Sequence, residues 1–108
     1  MSSSLNIQQV VQSDELTMTS LKVAWLTGKR HSNVLRDIRC LLHQMEKSGE
    51  DISSLRYRIE YLPSGGRPVQ NYLMNKSLGL LLITGYRPPY RDRLQLIQRV
   101  LKHFEYKG

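Results

Sequence analysis

One cysteine, Cys40, in 108 residues rules out an internal disulfide framework and a zinc site built from several cysteines. No apolar run approaches the roughly 20 residues needed to cross a bilayer, so no membrane-spanning helix is expected. The opening Met1-Ser2-Ser3-Ser4-Leu5-Asn6 has neither a basic n-region nor an apolar h-region, and no secretory signal is expected there. Acidic residues are scarce, nine against sixteen Lys and Arg. Glycine-rich and repeated tracts are absent, which argues against a linker or an array. What remains is 40% hydrophobic and 23% charged residues, enough to bury one ordinary core and too short for two. We therefore expect one domain over residues 1–108, with 1–16 as an N-terminal arm or short hairpin.

The positive charge is clustered. The net charge is +7 and the isoelectric point about 9.9. Lys22, Lys29, Arg30, Arg36 and Arg39 lie within eighteen residues, opposed only by Asp37. Arg87, Arg91, Arg93, Arg99 and Lys102 form a second cluster, opposed by Asp92. Most of the cations are arginine, whose planar fork suits phosphates and guanine edges. Separated basic clusters suit a polyanion, nucleic acid before membrane.

Local patterns divide the chain. Leu5 to Gln12 and Leu16 to Met18 read as a small hairpin. Thr19 and Ser20 can cap a short helix, Leu21 to Thr27, that Gly28 ends; its dense apolar residues, Trp25 included, predict a mostly buried helix. From about Ser32 to Lys47, Val34, Leu35, Ile38, Leu41, Leu42 and Met45 form one stripe of a 3.6-residue period. Residues 56 to 62 alternate, 63 to 68 are a Pro/Gly-rich turn, and 69 to 74 pair back. Asn75 can cap a helix from Lys76 to Thr84. Pro88-Pro89 then start a last basic helix, with Leu94, Ile97, Val100, Leu101 and Phe104 as its buried stripe. The expected fold is α+β and winged helix-turn-helix-like, in the order β-β-α-α-β-β-α-α, with small antiparallel hairpins packed on helices.

Two helices joined by a short Gly-started turn have helix-turn-helix spacing, and the hairpin that follows would serve as a wing. In DNA-binding versions the start of the second helix meets base edges. Those residues are Lys29, Arg30, His31, Ser32, Asn33 and Arg36, with Arg39 one turn on. Arg and Lys can donate to guanine, and Asn can pair with adenine. Arg56, Arg58 and Arg67 of the hairpin, and the basic last helix, would hold the backbone. The histidines His31, His43 and His103 are scattered, and Cys40-x-x-His43 lacks further metal ligands or an orienting acid. No enzymatic activity and no cofactor are expected.

Thr19-Ser20-Leu21-Lys22-Val23-Ala24 and the run Gly28-Lys29-Arg30-His31-Ser32-Asn33-Val34-Leu35-Arg36-Asp37-Ile38 resemble the phage regulatory protein Rha family, which shows Ser-x-x-[IV]-Ala followed by G-K-x-H-x-N-V-L-x-D-I. Tyr61, Gly66-Arg67, Tyr72-Leu73 and Leu81-Leu82-x-x-Gly85-Tyr86 add to it. The resemblance covers about Thr17 to Phe104. It implies a phage or prophage regulator in the cytoplasm of the bacterial host, acting on double-stranded DNA. An antirepressor that binds a repressor or host protein is the alternative it implies. A homodimer is a further candidate assembly. The segment Arg87 to Asp92 departs from the family's usual small and basic run. Many relatives continue past the point matching Gly108, so a second-domain activity is not expected here.

Overall fold

The computed structural model describes residues 15–86 and 90–105. Its elements are β1 (Met18–Thr19), α1 (Ser20–Thr27), α2 (His31–Ser48), β2 (Tyr57–Leu62), β3 (Val69–Met74), α3 (Lys76–Thr84) and α4 (Tyr90–Glu105). The fold is α+β, with four helices and one three-stranded antiparallel sheet among the described residues, in the strand order β1-β3-β2.

The sheet holds a pairing that the expected fold did not include, and of Leu16 to Met18 only Met18 lies in a strand. The strand is Met18–Thr19, and it pairs with β3, Met18 opposite Met74 and Thr19 opposite Leu73. Its expected partner, Leu5 to Gln12, lies outside the described residues. The order among the described residues is therefore β-α-α-β-β-α-α. The physical cause is long-range: β3 has an edge left open by β2, and Met18 and Met74 pack there fully buried.

Helix boundaries follow local chemistry. Thr19 Oγ1 accepts from Lys22 N at 3.0 Å, and Gly28 ends α1 at φ 74, where its N–H donates to the Ala24 carbonyl at 2.9 Å. The turn to α2 is three residues. Val34, Leu35 and Ile38 bury one face of α2, while Ser32, Arg36, Arg39, Cys40, His43 and Lys47 are exposed on the other. Leu78, Leu82 and Ile83 of α3 complete the core with Leu96 and Val100 of α4.

Two apolar expectations shift. On α4, Leu96 and Val100 bury one turn apart, whereas Leu94 is 44% exposed. On α1, only Ser20 and Val23 are buried; Leu21 and Trp25 are exposed, Trp25 at 73%. An eight-residue helix packed on α2 and the sheet through one side leaves its Leu21 and Trp25 side to solvent.

Asn75 joins three segments. Its Oδ1 accepts from Leu78 N and from Arg56 N, both at 3.1 Å, and its Nδ2 donates to the Ser54 carbonyl at 2.9 Å. The side chain is 4% exposed. Asn75→Ala is expected to cost about 2–4 kcal/mol, since it removes a cap and leaves buried backbone groups unmet. Asn75→Asp, which keeps the acceptor, should lose about half of that in urea unfolding.

Candidate nucleic-acid interface

The base of α2 is locked to the sheet by a polar chain. Ser20 Oγ, fully buried, lies 3.0 Å from Asn71 Oδ1 and accepts from Tyr72 N at 2.9 Å. Asn71 Oδ1 also accepts from Leu21 N at 3.3 Å, and Asn71 Nδ2 donates to Glu60 Oε2 at 3.1 Å. His31 Nε2 lies 2.8 Å from Ser20 Oγ. The one hydroxyl proton goes to Asn71, so hydrogen-bond counting assigns the His31 proton to Nε2, which donates to Ser20. His31, the first residue of α2, thus spends its Nε2 inside the fold, where it sets the helix against β3.

Burial lowers the His31 pKa below the ordinary imidazole value, because the charged form is less well solvated there. The neutral ring is therefore favoured by folding. Its contribution to stability is complete above the unfolded value and is lost as pH falls from about 6.5 through the lower folded value. The urea midpoint should drop over that window. His31→Gln, which retains a donor but cannot titrate, should flatten the drop.

Around His31 the start of α2 projects free groups. Arg30, Ser32 and Arg36 are exposed and make no side-chain hydrogen bond or ion pair among the described residues. Asn33 is half-buried beside them. One turn on, Arg39 Nη2 donates to Gln70 Oε1 on β3, and Gln70 Nε2 reaches Tyr61 Oη at 3.5 Å. Tyr61 is 63% exposed. An arginine, an amide and a phenol therefore meet where α2 faces the hairpin. Arg67 is exposed in the loop between β2 and β3.

Other expected contacts are placed differently. Lys29 Nζ lies 3.4 Å from Asp37 Oδ2 and 4.3 Å from the centre of the Tyr86 ring, so it is held back along the turn. Burial first, and the Asp37 carboxylate second, push the Tyr86 hydroxyl above its ordinary pKa. Arg56 grips Glu15 with two nitrogens, Nε at 3.1 Å and Nη2 at 2.7 Å. Arg58 pairs opposite Leu73, whereas Tyr61 pairs opposite Gln70. Strand alternation puts Arg58 on the sheet face away from the Arg39–Gln70 contact. Arg99 and Lys102 of α4 line the seam with α1.

Gln70 and Tyr61 were missed by sequence reasoning as partners of Arg39. Strand alternation put Tyr61 on the face of Tyr57 and Ile59, but nothing local says that α2 ends its packing before reaching it. Tyr57 and Tyr72, whose ring centres are 5.6 Å apart, do pack inward. Cys40 and His43 are exposed on α2, and among the described residues no group of three His, Cys, Asp or Glu side chains could hold a metal. No helix there is long and apolar enough to cross a membrane.

Comparison with known proteins agrees with the motif. The chain is 32% identical over 80 residues to an uncharacterized protein of Haemophilus influenzae, covering 73% of this chain and 45% of that relative. The chain thus spans about half the length of the curated relative it matches. No solved structure matches it. Residues 18–102, from β1 to the last turns of α4, match the model of the phage regulatory protein Rha. The chain belongs to the phage regulatory protein Rha family.

Proposed function

We propose that this chain is a non-catalytic, sequence-specific double-stranded DNA-binding regulator of phage genes, working in the bacterial cytoplasm. In this reading α1 and α2 are the helix-turn-helix, the start of α2 enters the major groove, and the β2–β3 hairpin is the wing. The observation that carries it is the contrast along α2. Its first residue is pinned through Ser20 to β3, while Arg30, Ser32 and Arg36 beside it have no side-chain partner among the described residues. A fixed base with free donors is what groove recognition needs, because side chains already held by the fold cannot also read bases. Arg39, which keeps donors beyond the one it gives to Gln70, extends the same face toward the wing as a phosphate contact and not as a base reader. Arg67 at the tip of the wing supplies a phosphate contact.

The test is selection from a random duplex pool, followed by anisotropy on the winner and a scrambled duplex. Asn33→Ala and Arg36→Ala should each cost about 1–3 kcal/mol, mainly on the selected sequence. Arg67→Ala should weaken all duplexes alike and flatten the salt dependence. Equal binding of every duplex by parent and variants would remove the groove assignment. Absence of duplex binding at low salt would leave a protein-directed antirepressor as the reading. A winner with two-fold symmetric half-sites would support a homodimer.

A further inference from the structure

The DNA reading uses α2 and the hairpin and leaves the seam between α1 and α4 without a role. Trp25, the single tryptophan of the chain, stands there 73% exposed, with Leu21 one turn before it 43% exposed. The Lys22 ammonium lies 4.8 Å from the centre of the Trp25 ring. Beside them is an open groove of about 640 Å³. Leu16, Trp25 and Leu26 supply its apolar surface, and Lys22, Arg99 and Lys102 supply its cations. Among the described residues no acidic side chain lines it. His103 braces the wall, its Nε2 lying 2.9 Å from the Thr17 carbonyl. Leu26 and Arg99 also line a second pocket of about 480 Å³ that reaches Lys29, Tyr86 and one carboxylate, Asp92, so the depression runs on along the seam while its purely cationic rim is confined to the first groove.

An exposed tryptophan on a basic-rimmed apolar groove is costly to leave bare, and such surfaces mark contact sites. We propose that the α1–α4 groove docks an acidic, amphipathic segment of a partner protein, with an apolar side chain on Trp25 and Leu26 and carboxylates on Lys22, Arg99 and Lys102. Charge selects this occupant. A second copy would bring another +7 chain and, in a two-fold pairing, the same cationic rim. A duplex would satisfy the cations and leave Leu16 and Leu26 uncovered. An acidic segment with apolar side chains matches both parts, and its length suits a groove that continues past Arg99.

Because Trp25 is the single tryptophan, its emission reports on the groove directly. The probe is a synthetic helix-forming peptide of about twelve residues without Trp or Tyr, with Leu and Phe on one face and Glu on the other. Two controls replace Glu by Lys, or Leu and Phe by Ser. The full chain alone should emit like a solvated indole, independent of concentration. The acidic peptide should shift emission to the blue and saturate. Lys22→Glu combined with Arg99→Glu should weaken it by about tenfold or more, while Arg36→Ala should not change it. Circular dichroism checks that the variants fold. Five outcomes would each overturn the proposal: blue emission before any peptide, which would mean the chain itself or a second copy fills the groove; equal binding of the Lys peptide; equal binding of the Ser peptide; the same shift with a duplex; or no shift at millimolar peptide.

Discussion

Duplex affinity is expected to fall by about 150-fold between 50 and 200 mM salt if one protomer binds, and by about 2 × 10⁴-fold if two bind together. The estimate comes from the cations left available on the α2–hairpin face. Arg30 and Arg36 have no partner among the described residues, Arg67 is at the loop tip, and Arg39 keeps donors beyond the one it gives to Gln70. Lys29 and Arg56 are discounted because Asp37, Tyr86 and Glu15 already hold them. Four phosphate contacts give a log–log slope of about −3.6, and eight about −7. More than four contacts would need a second protomer. Anisotropy titrations at several salt concentrations measure the slope, and sedimentation of the complex counts the protomers. A slope near zero would remove the phosphate contacts altogether.

Ile38→Ala is expected to be among the most damaging single changes to the fold, at about 2–5 kcal/mol. Ile38 is fully buried and sits midway along the stripe by which α2 joins the core. Truncation leaves a cavity that neighbours on several elements cannot all close. In a domain of this size each kcal/mol moves the thermal midpoint by about 4–8 °C, so calorimetry reads the effect directly. Ile38→Val should cost only about 0.5–1.5 kcal/mol. Set beside Arg36→Ala, the pair separates the two faces of one helix. Ile38→Ala should lower the midpoint while folded protein still binds. Arg36→Ala should leave the stability within about 0.5 kcal/mol of the parent and weaken the selected duplex.

Much of the local structure was legible. Thr19 and Gly28 bound α1, Asn75 caps a helix from Lys76 to Thr84, and the stripe from Val34 to Met45 makes α2, because caps and periodicity act within a few residues. The exposure of the α2 cations was legible for the same reason: Arg36 and Arg39 lie opposite the stripe. The motif around Gly28 to Ile38 likewise pointed to the family.

Which of those residues are available for a partner was not legible. His31 bonds Ser20, Arg39 bonds Gln70 and Arg56 bonds Glu15 across separations of 11, 31 and 41 residues. Each pairing depends on where sheet and helices come to rest, which no local pattern encodes. The partner of β1, and the exposure of Trp25 on an otherwise apolar helix, depend on the same long-range packing. The sequence alone determined the helices, the β2–β3 hairpin and the basic character of α2, since these follow from nearest neighbours and composition. The tertiary structure alone decided which cations are free and which apolar side chain is left uncovered, since burial and pairing are properties of surfaces brought together from distant parts of the chain.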